Sequence, residues 1–121
     1  MNQYLFYGLI SFIILVFLYT FFSANRISSD KAKEAISSGK IKHIIDVRTK
    51  KEWDIGHYEG AVHIPVTEIS RKVLDKNNIE KDEGILVYCN TGQRARYAAD
   101  KMKKLGYRKV YYIYQTYTSL E

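Results

Sequence analysis

The chain opens with a long uncharged stretch. Residues 4–22 contain no charged side chain, and most of them are Leu, Ile, Val or Phe. At about 1.5 Å per residue, a helix of this length nearly crosses a hydrocarbon core of about 30 Å. Tyr4, Tyr7 and Tyr19 lie near the ends of the stretch, where amphipathic rings favour a membrane interface. The pattern predicts one N-terminal transmembrane helix.

A cleaved signal peptide is the alternative interpretation of this stretch. Residues 1–3 lack a basic side chain, and Phe22 disfavours cleavage at Ala24, so an uncleaved anchor is favoured. The basic residues that follow the stretch directly are Arg26, Lys31 and Lys33. The positive-inside rule then predicts a single-pass membrane protein whose folded domain faces the cytoplasm.

After the anchor, short apolar runs alternate with amphipathic segments. Residues 23–29 are predicted to form a polar linker, and Ser28 to Asp30 are candidate caps for a helix that ends at Gly39. The predicted strands are 42–47, 61–64, 84–88 and 109–114, and the later helices are 50–55, 67–76 and 94–105. This alternation predicts an α/β domain with a mostly parallel sheet. The predicted organisation is an anchor and linker over residues 1–25 and a folded domain over residues 26–121.

The composition excludes several kinds of site. The formal net charge is +6, but the basic residues are scattered and form no stripe with aromatic residues, so no nucleic-acid partner is expected. Cys89 is the only cysteine, which rules out an internal disulfide and a cysteine-rich metal site. No residue set resembles a metal site, and no cofactor is expected.

Cys89 directly follows the most apolar predicted strand, 84–88, and the loop from Cys89 to Arg94 opens the next helix. Ligands of open α/β sheets bind at the carboxyl ends of strands. Inward-pointing N–H groups and the positive end of a helix both favour an anion such as a thiolate. Gly92 permits a tight loop, and Arg94 adds a permanent positive charge. From these residues alone, a small buried hydrophobic Cys89 remains an equal alternative.

Separated motifs in the rest of the domain favour a reactive Cys89. They are Asp46-Val47-Arg48, Glu52-Trp53, Gly56-His57, Gly60-Ala61, His63-Ile64-Pro65, Val87-Tyr88-Cys89, Gly92, Arg94-Ala95 and Leu105-Gly106-Tyr107. This set, between about residues 28 and 114, resembles the rhodanese-like (sulfurtransferase) domain family. The resemblance implies a five-stranded sheet flanked by helices.

The same resemblance implies a reaction and a site. Cys89 would accept a sulfane sulfur from a donor such as thiosulfate or a persulfide and pass it to cyanide, a thiol or a protein acceptor. The expected catalytic residue is Cys89, and the expected substrate-binding residues are Asn90, Thr91, Gly92, Gln93 and Arg94. Protein phosphatases with a similar loop place an arginine six positions after the cysteine, where this chain has Ala95. The shorter loop favours one sulfur atom over a phosphate.

The other motif residues are assigned to structure. Arg48 and Glu52 are predicted to pair and brace the loop after their strand. Trp53 is predicted to lie in the core, and His57 and His63 are expected to have structural roles.

Residues 113–121 depart from the family pattern, because they lack the Gly-Gly pair and the Trp-bearing helix that usually follow the last strand. This departure leaves open a shallower pocket that admits a protein donor or acceptor. It also leaves open a second interpretation, a non-catalytic or weakly active interaction module at the membrane.

Overall fold

Five parallel strands form the sheet that positions Cys89. The structure is a computed structural model that describes residues 2–22 and 24–121. Met1 lies outside the described residues, and so does Ser23, which is the first residue of the predicted linker. The strands are β1 (Asn25–Arg26), β2 (His43–Asp46), β3 (Val62–His63), β4 (Ile85–Tyr88) and β5 (Val110–Tyr112). Their order is β1-β5-β4-β2-β3, and every adjacent pair is parallel. The predicted α/β class and the parallel sheet are confirmed.

Strand β1 lies within the segment that the sequence predicts to be a linker. Asn25 pairs with Tyr111 and Arg26 pairs with Tyr112, and the Ile27 N–H donates to the Tyr112 carbonyl at 3.0 Å. Both β1 side chains are polar and exposed, so no alternation of apolar residues marks this strand in the sequence. Its position is set by backbone pairing with the edge of β5.

Within residues 2–22 and 24–121, five α-helices accompany the sheet. They are α1 (Gln3–Phe22), α2 (Ser29–Ser37), α3 (Lys50–Ile55), α4 (Arg71–Lys76) and α5 (Gln93–Lys104), and short 3₁₀ turns cover Val66–Glu68 and Tyr117–Leu120. Ser28 caps α2 by accepting the Lys31 N–H, as the sequence predicts. The predicted helix 67–76 is wrong in extent. Ser70 accepts the Val73 N–H and begins α4 there, so the chain turns between the two pieces.

Alternate side chains of the central strands pack against opposite layers. On one face, Ile45 and Val87 join a cluster that includes the small inward residues Ala95, Ala98 and Ala99 of α5. On the other face lies a smaller cluster, which contains Ala32, Ile44, Leu86, Tyr88 and Leu120. Because side chains alternate along a strand, Cys89 falls on the α5 face, one residue beyond Tyr88 on the opposite face.

Helix α1 exposes apolar side chains on all its sides, among them Leu5, Phe12 and Ile14. In the described part of the chain, no helix has the combination of length and hydropathy that a membrane crossing requires. The predicted transmembrane helix is therefore not supported.

Candidate functional site

The loop that begins at Cys89 wraps around the cysteine's own sulfur atom. Cys89 follows the central strand β4 and is completely buried. Its Sγ accepts the Gly92 N–H at 3.1 Å and the Ala95 N–H at 3.4 Å. Both donors lie at the start of α5, whose partial positive charge also faces the sulfur. The predicted inward-pointing N–H groups are confirmed, because both donors point at the Cys89 sulfur.

Gly92 makes this turn possible. Its φ of 93° lies in the left-handed region, where a side chain is disfavoured. A Cβ at this position would also come within 2.5 Å of Tyr114 Cδ1 and 3.0 Å of Tyr114 Cα. The loop and the segment after β5 are therefore packed so closely that only glycine fits.

Arg94 lies beside the loop but is already paired. Its Nη1 donates to Glu52 Oε1 at 2.7 Å and its Nη2 to Glu52 Oε2 at 3.1 Å, which is a bidentate ion pair between α5 and α3. The hydrogen bond that Arg94 donates to Glu52 is the main cause that raises the pKa of Arg94, and Cys89 contributes in the same direction. The predicted Arg48–Glu52 pair is wrong. Arg48 pairs with Asp46 instead, and Glu52 pairs with Arg94.

Glu52 organises several neighbours at once. It completes a capping box with Thr49 at the start of α3, and its Oε2 accepts the Asn90 side-chain amide at 2.6 Å. The Arg94 hydrogen bond, followed by the Thr49 backbone N–H, holds the pKa of Glu52 far below its usual range. Glu52 is therefore a fixed negative charge at the mouth of the loop.

Beneath the loop, Arg48 forms a buried pair with Asp46. The Arg48 Nη2 donates to Asp46 Oδ2 at 2.8 Å, and the Arg48 backbone N–H donates to Oδ1 at 2.9 Å. The Tyr88 hydroxyl donates to the same carboxylate at 2.6 Å. Burial lowers the pKa of Arg48, but the hydrogen bond and charge of Asp46 outweigh it and raise the pKa overall. Burial, followed by the Asp46 hydrogen bond, raises the pKa of Tyr88 and keeps the phenol neutral.

The segment after β5 also packs on the loop. Tyr114 packs against Gly92, and the Thr116 hydroxyl donates to Asn90 Oδ1 at 3.4 Å. The final 3₁₀ turn buries Leu120 against the α2 face of the sheet. These residues pack on the loop although they lack the family's Gly-Gly and Trp features, and the shallower pocket stays a prediction.

Trp53 stacks with two histidines. The Trp53 and His57 rings are parallel with centroids 3.4 Å apart, and the centroids of Trp53 and His63 are 4.9 Å apart. His63 Nε2 bonds the Arg48 carbonyl at 2.8 Å. The stack agrees with structural roles for both histidines, but Trp53 is only partly buried and does not belong to the core.

The loop brings the predicted site residues together to different degrees. Gly92 touches the sulfur through its backbone, and Arg94 lies next to it but is held by Glu52. The exposed loop residues are Asn90, Thr91 and Gln93. Sequence reasoning missed Glu52 and Tyr114 as neighbours of the loop. The Thr49–Glu52 capping pattern was visible in the sequence, but it gives no indication that the carboxylate reaches α5.

The described domain is a small parallel α/β fold with a cysteine at the end of its central strand, and the N–H groups of a short loop point at the cysteine sulfur. The rhodanese-like domain family model matches residues 28–119. The chain belongs to this family and is a sulfurtransferase-type domain at that level.

Individual relatives agree with this assignment. The chain is 34% identical over 88 residues to a putative sulfur carrier protein, YrkF, of Bacillus subtilis, covering 73% of this chain and 46% of that protein. It is 35% identical over 72 residues to the tRNA uridine(34) hydroxylase of Enterobacter, covering 57% of this chain and 21% of that protein. The chain thus spans less than half the length of these curated relatives.

A solved structure gives the same fold. The human single-domain sulfurtransferase TSTD1 superposes with a TM-score of 0.66 at 21% identity, covering 79% of this chain and 94% of that one. At this identity the likeness supports the fold alone.

Proposed function

We propose that this domain is a sulfurtransferase that carries sulfur as a persulfide on Cys89. The observation that carries the proposal is the pair of N–H groups, from Gly92 and Ala95, that point at the Cys89 sulfur. Such donors favour the thiolate, which is the nucleophile in sulfur chemistry. The same two donors can hold the negative charge after a second sulfur has been added.

The proposed reaction has two balanced halves. The Cys89 thiolate attacks the outer sulfur of a sulfane donor, the donor's S–S bond breaks, and the donor leaves as sulfite from thiosulfate or as a thiolate from a persulfide. Cys89 then carries a persulfide. In the second half a nucleophile such as cyanide or a thiol attacks the outer sulfur, and the Cys89 thiolate is regenerated. Asn90, Thr91, Gly92, Gln93 and Arg94 are proposed to line the path of the donor and the acceptor.

The loop geometry favours sulfur over larger groups. Arg94 lies five positions after Cys89, and two of the loop's N–H groups already converge on one atom. A sulfane sulfur adds one further atom at this point, whereas a phosphate would need a wider ring of donors.

Steady-state transfer of sulfur from thiosulfate or a persulfide to cyanide tests the proposal. The wild-type chain is expected to form thiocyanate with either donor or both, and Cys89→Ser is expected to form none. Cys89→Ser preserves the shape of the loop, so its unfolding midpoint serves as the control for folding. Equal turnover by the two proteins would contradict the proposal.

One observation favours the alternative, a non-catalytic interaction module. Cys89 has no exposed surface, so a donor reaches it only after a side chain at the loop moves. The two functions differ in the transfer assay, because an interaction module would give no thiocyanate with any sulfane donor. Asn90, Thr91 and Gln93, which follow Cys89 in the loop, are exposed and lie at the surface that a donor would meet.

We also propose that α1 holds the domain at a membrane, with the domain on the cytoplasmic side. Support comes from the apolar side chains exposed all around α1, which water solvates poorly, and from the basic flank formed by Arg26, Lys31 and Lys33. Flotation of the full chain with sealed vesicles tests the association. Protease added outside inverted cytoplasmic-membrane vesicles is expected to digest the domain. Recovery of the chain without the membrane, or protection of the domain in these vesicles, would contradict the proposal.

A further inference from the structure

The charges around the Cys89 sulfur cancel before any donor arrives. Of the two arginines nearest the loop, Arg48 is paired with the buried Asp46 and Arg94 is paired with Glu52. Once Cys89 ionises, this group of five side chains carries a net charge of one negative unit. The N–H groups of the loop remain, but neither guanidinium offers an unpaired positive charge.

A compact dianion is a poor ligand for such a site. Thiosulfate carries two negative charges on a small ion, and both approach the sulfur together. To use Arg94 it must displace Glu52 from a bidentate pair, or sit close to the Glu52 carboxylate and be repelled. The pKa of Glu52 lies far below its usual range, so this carboxylate stays charged at every physiological pH.

A groove runs from the loop along α5. The volume of this groove is about 560 Å³. It is lined by Val66, Thr67, Gln93, Arg94, Tyr97 and Lys101. Tyr97 offers a largely exposed ring in this groove. Lys101 is two helical turns beyond Arg94 on α5, so it lies about 10 Å farther along the groove. The groove therefore has room for an organic group, with a positive charge well away from the sulfur.

We infer, building on the proposed function, that the preferred donor is an organic persulfide with a carboxylate remote from its sulfur, and that Glu52 sets this preference against thiosulfate. The organic body of the donor lies against Tyr97, and its carboxylate reaches Lys101. The outer sulfur enters the loop with at most one negative charge. Cys89 attacks that outer sulfur, the donor's S–S bond breaks, and the remaining thiolate leaves along the groove.

The ratio of kcat/KM for glutathione persulfide to kcat/KM for thiosulfate, both with cyanide as acceptor, measures this preference. Glu52→Gln is expected to raise kcat/KM for thiosulfate on the order of tenfold while changing the persulfide value much less. The matched control is Asp54→Asn, which removes one negative charge from the same helix at a residue that pairs with Lys50. This control is expected to leave the ratio unchanged.

A second variant tests the groove without touching the Glu52–Arg94 pair. Lys101→Gln is expected to lower kcat/KM for glutathione persulfide several-fold and to leave the thiosulfate value unchanged. Lys104→Gln, on the same helix and outside the groove lining, is its control. Since Lys101 lies at the surface groove, this variant stays informative even if Glu52→Gln destabilises the fold.

The inference is overturned if Glu52→Gln changes both donors by the same factor, because Glu52 would then only hold Arg94 in place. It is also overturned if Lys101→Gln affects thiosulfate as much as the persulfide. Failure of the proposed function has a different signature, which is the absence of transfer from either donor in the wild-type chain and in both variants.

Discussion

At the scale of single residues, the closest constraint on the site is the contact between Gly92 and Tyr114. Gly92 has a φ of 93° and no room for a Cβ, whereas Gly60 has a φ of 90° and no atom within 4 Å of the position that a Cβ would take. A side chain at Gly60 would therefore meet only backbone strain, whereas a side chain at Gly92 would also collide with Tyr114. Only Gly92 combines both effects.

Substitution of each glycine by alanine should reveal this difference. Gly60→Ala is expected to lower the free energy of unfolding by about 1 kcal/mol, the cost of a left-handed conformation. Gly92→Ala is expected to cost about 1 to 3 kcal/mol more, because Tyr114 must move. Urea unfolding monitored by circular dichroism gives both values. Equal losses for the two variants would show that Tyr114 is not packed on the loop.

The sequence predicted the contacts within the Cys89 loop, but it did not predict the contacts that the loop makes with distant segments. The positions of Cys89, Gly92 and Arg94 follow from one short loop, so local sequence was enough to bring them together. Glu52 reaches Arg94 from 42 positions earlier in the chain, and Tyr114 reaches Gly92 across the sheet. Such pairings depend on how α3 and the segment after β5 are placed, which no local pattern specifies.

At the scale of elements, the end of β2 is tied to the end of β4 by the buried Asp46. This carboxylate accepts hydrogen bonds from Arg48 and Tyr88, and it has no exposed surface. A buried charge that loses its partner is strongly destabilising, whereas an exposed ion pair contributes little.

Asp46→Asn is therefore expected to lower the free energy of unfolding by about 3 to 5 kcal/mol, since it leaves the Arg48 charge buried and unpaired. Asp54→Asn breaks the exposed pair with Lys50 and is expected to cost less than about 0.5 kcal/mol. Denaturant titration of both variants provides the comparison. A loss for Asp46→Asn as small as that for Asp54→Asn would contradict the buried pair.

The ion pair between α3 and α5 predicts a dependence of stability on pH. The folded-state pKa of Glu52 is lowered, chiefly by Arg94, from an unfolded value near 4.5. The resulting stabilisation is fully present above that unfolded value and is lost as the pH falls through the folded value. Wild type should thus lose stability relative to Glu52→Gln as the pH drops from 5 to 2.

Arg94→Gln serves as the partner control for this measurement. Because Arg94 is the main cause of the shift, this variant should lose stability less steeply than wild type over the same range. Thermal or urea unfolding at several pH values supplies the data. Parallel pH profiles for wild type, Glu52→Gln and Arg94→Gln would show that the pair is absent in solution.

The sequence also predicted the elements unevenly. Strands β2 and β4 are short β-branched or apolar runs buried on both faces, and the small residues of α5 recur at helical spacing, so periodicity located all three. Strand β1 has two exposed polar residues and exists because β5 offers an unpaired edge. Helix α4 begins later than predicted because Ser70, and not Thr67, is its N-cap. The Ser70 side chain accepts a hydrogen bond from the Val73 N–H.

At the scale of the whole molecule, the parallel sheet gathers the ends of β2, β4 and β5 at one edge. Asp46 is paired in register with Tyr88, and Val87 with Tyr112, so the residues that follow these strands surround the Cys89 loop. In each ion pair beside the loop, Arg48–Asp46 and Arg94–Glu52, the two charges neutralise each other. The N–H groups of Gly92 and Ala95 contact the Cys89 sulfur. This arrangement explains why a single cysteine suffices for the proposed chemistry.

Mass spectrometry of the full chain after exposure to glutathione persulfide, followed by removal of excess donor, tests the central claim most directly. The account predicts a gain of one sulfur atom that maps to the peptide containing Cys89, disappears after addition of cyanide, and is absent in Cys89→Ser. An unchanged mass, or an added sulfur that persists in Cys89→Ser, would contradict it.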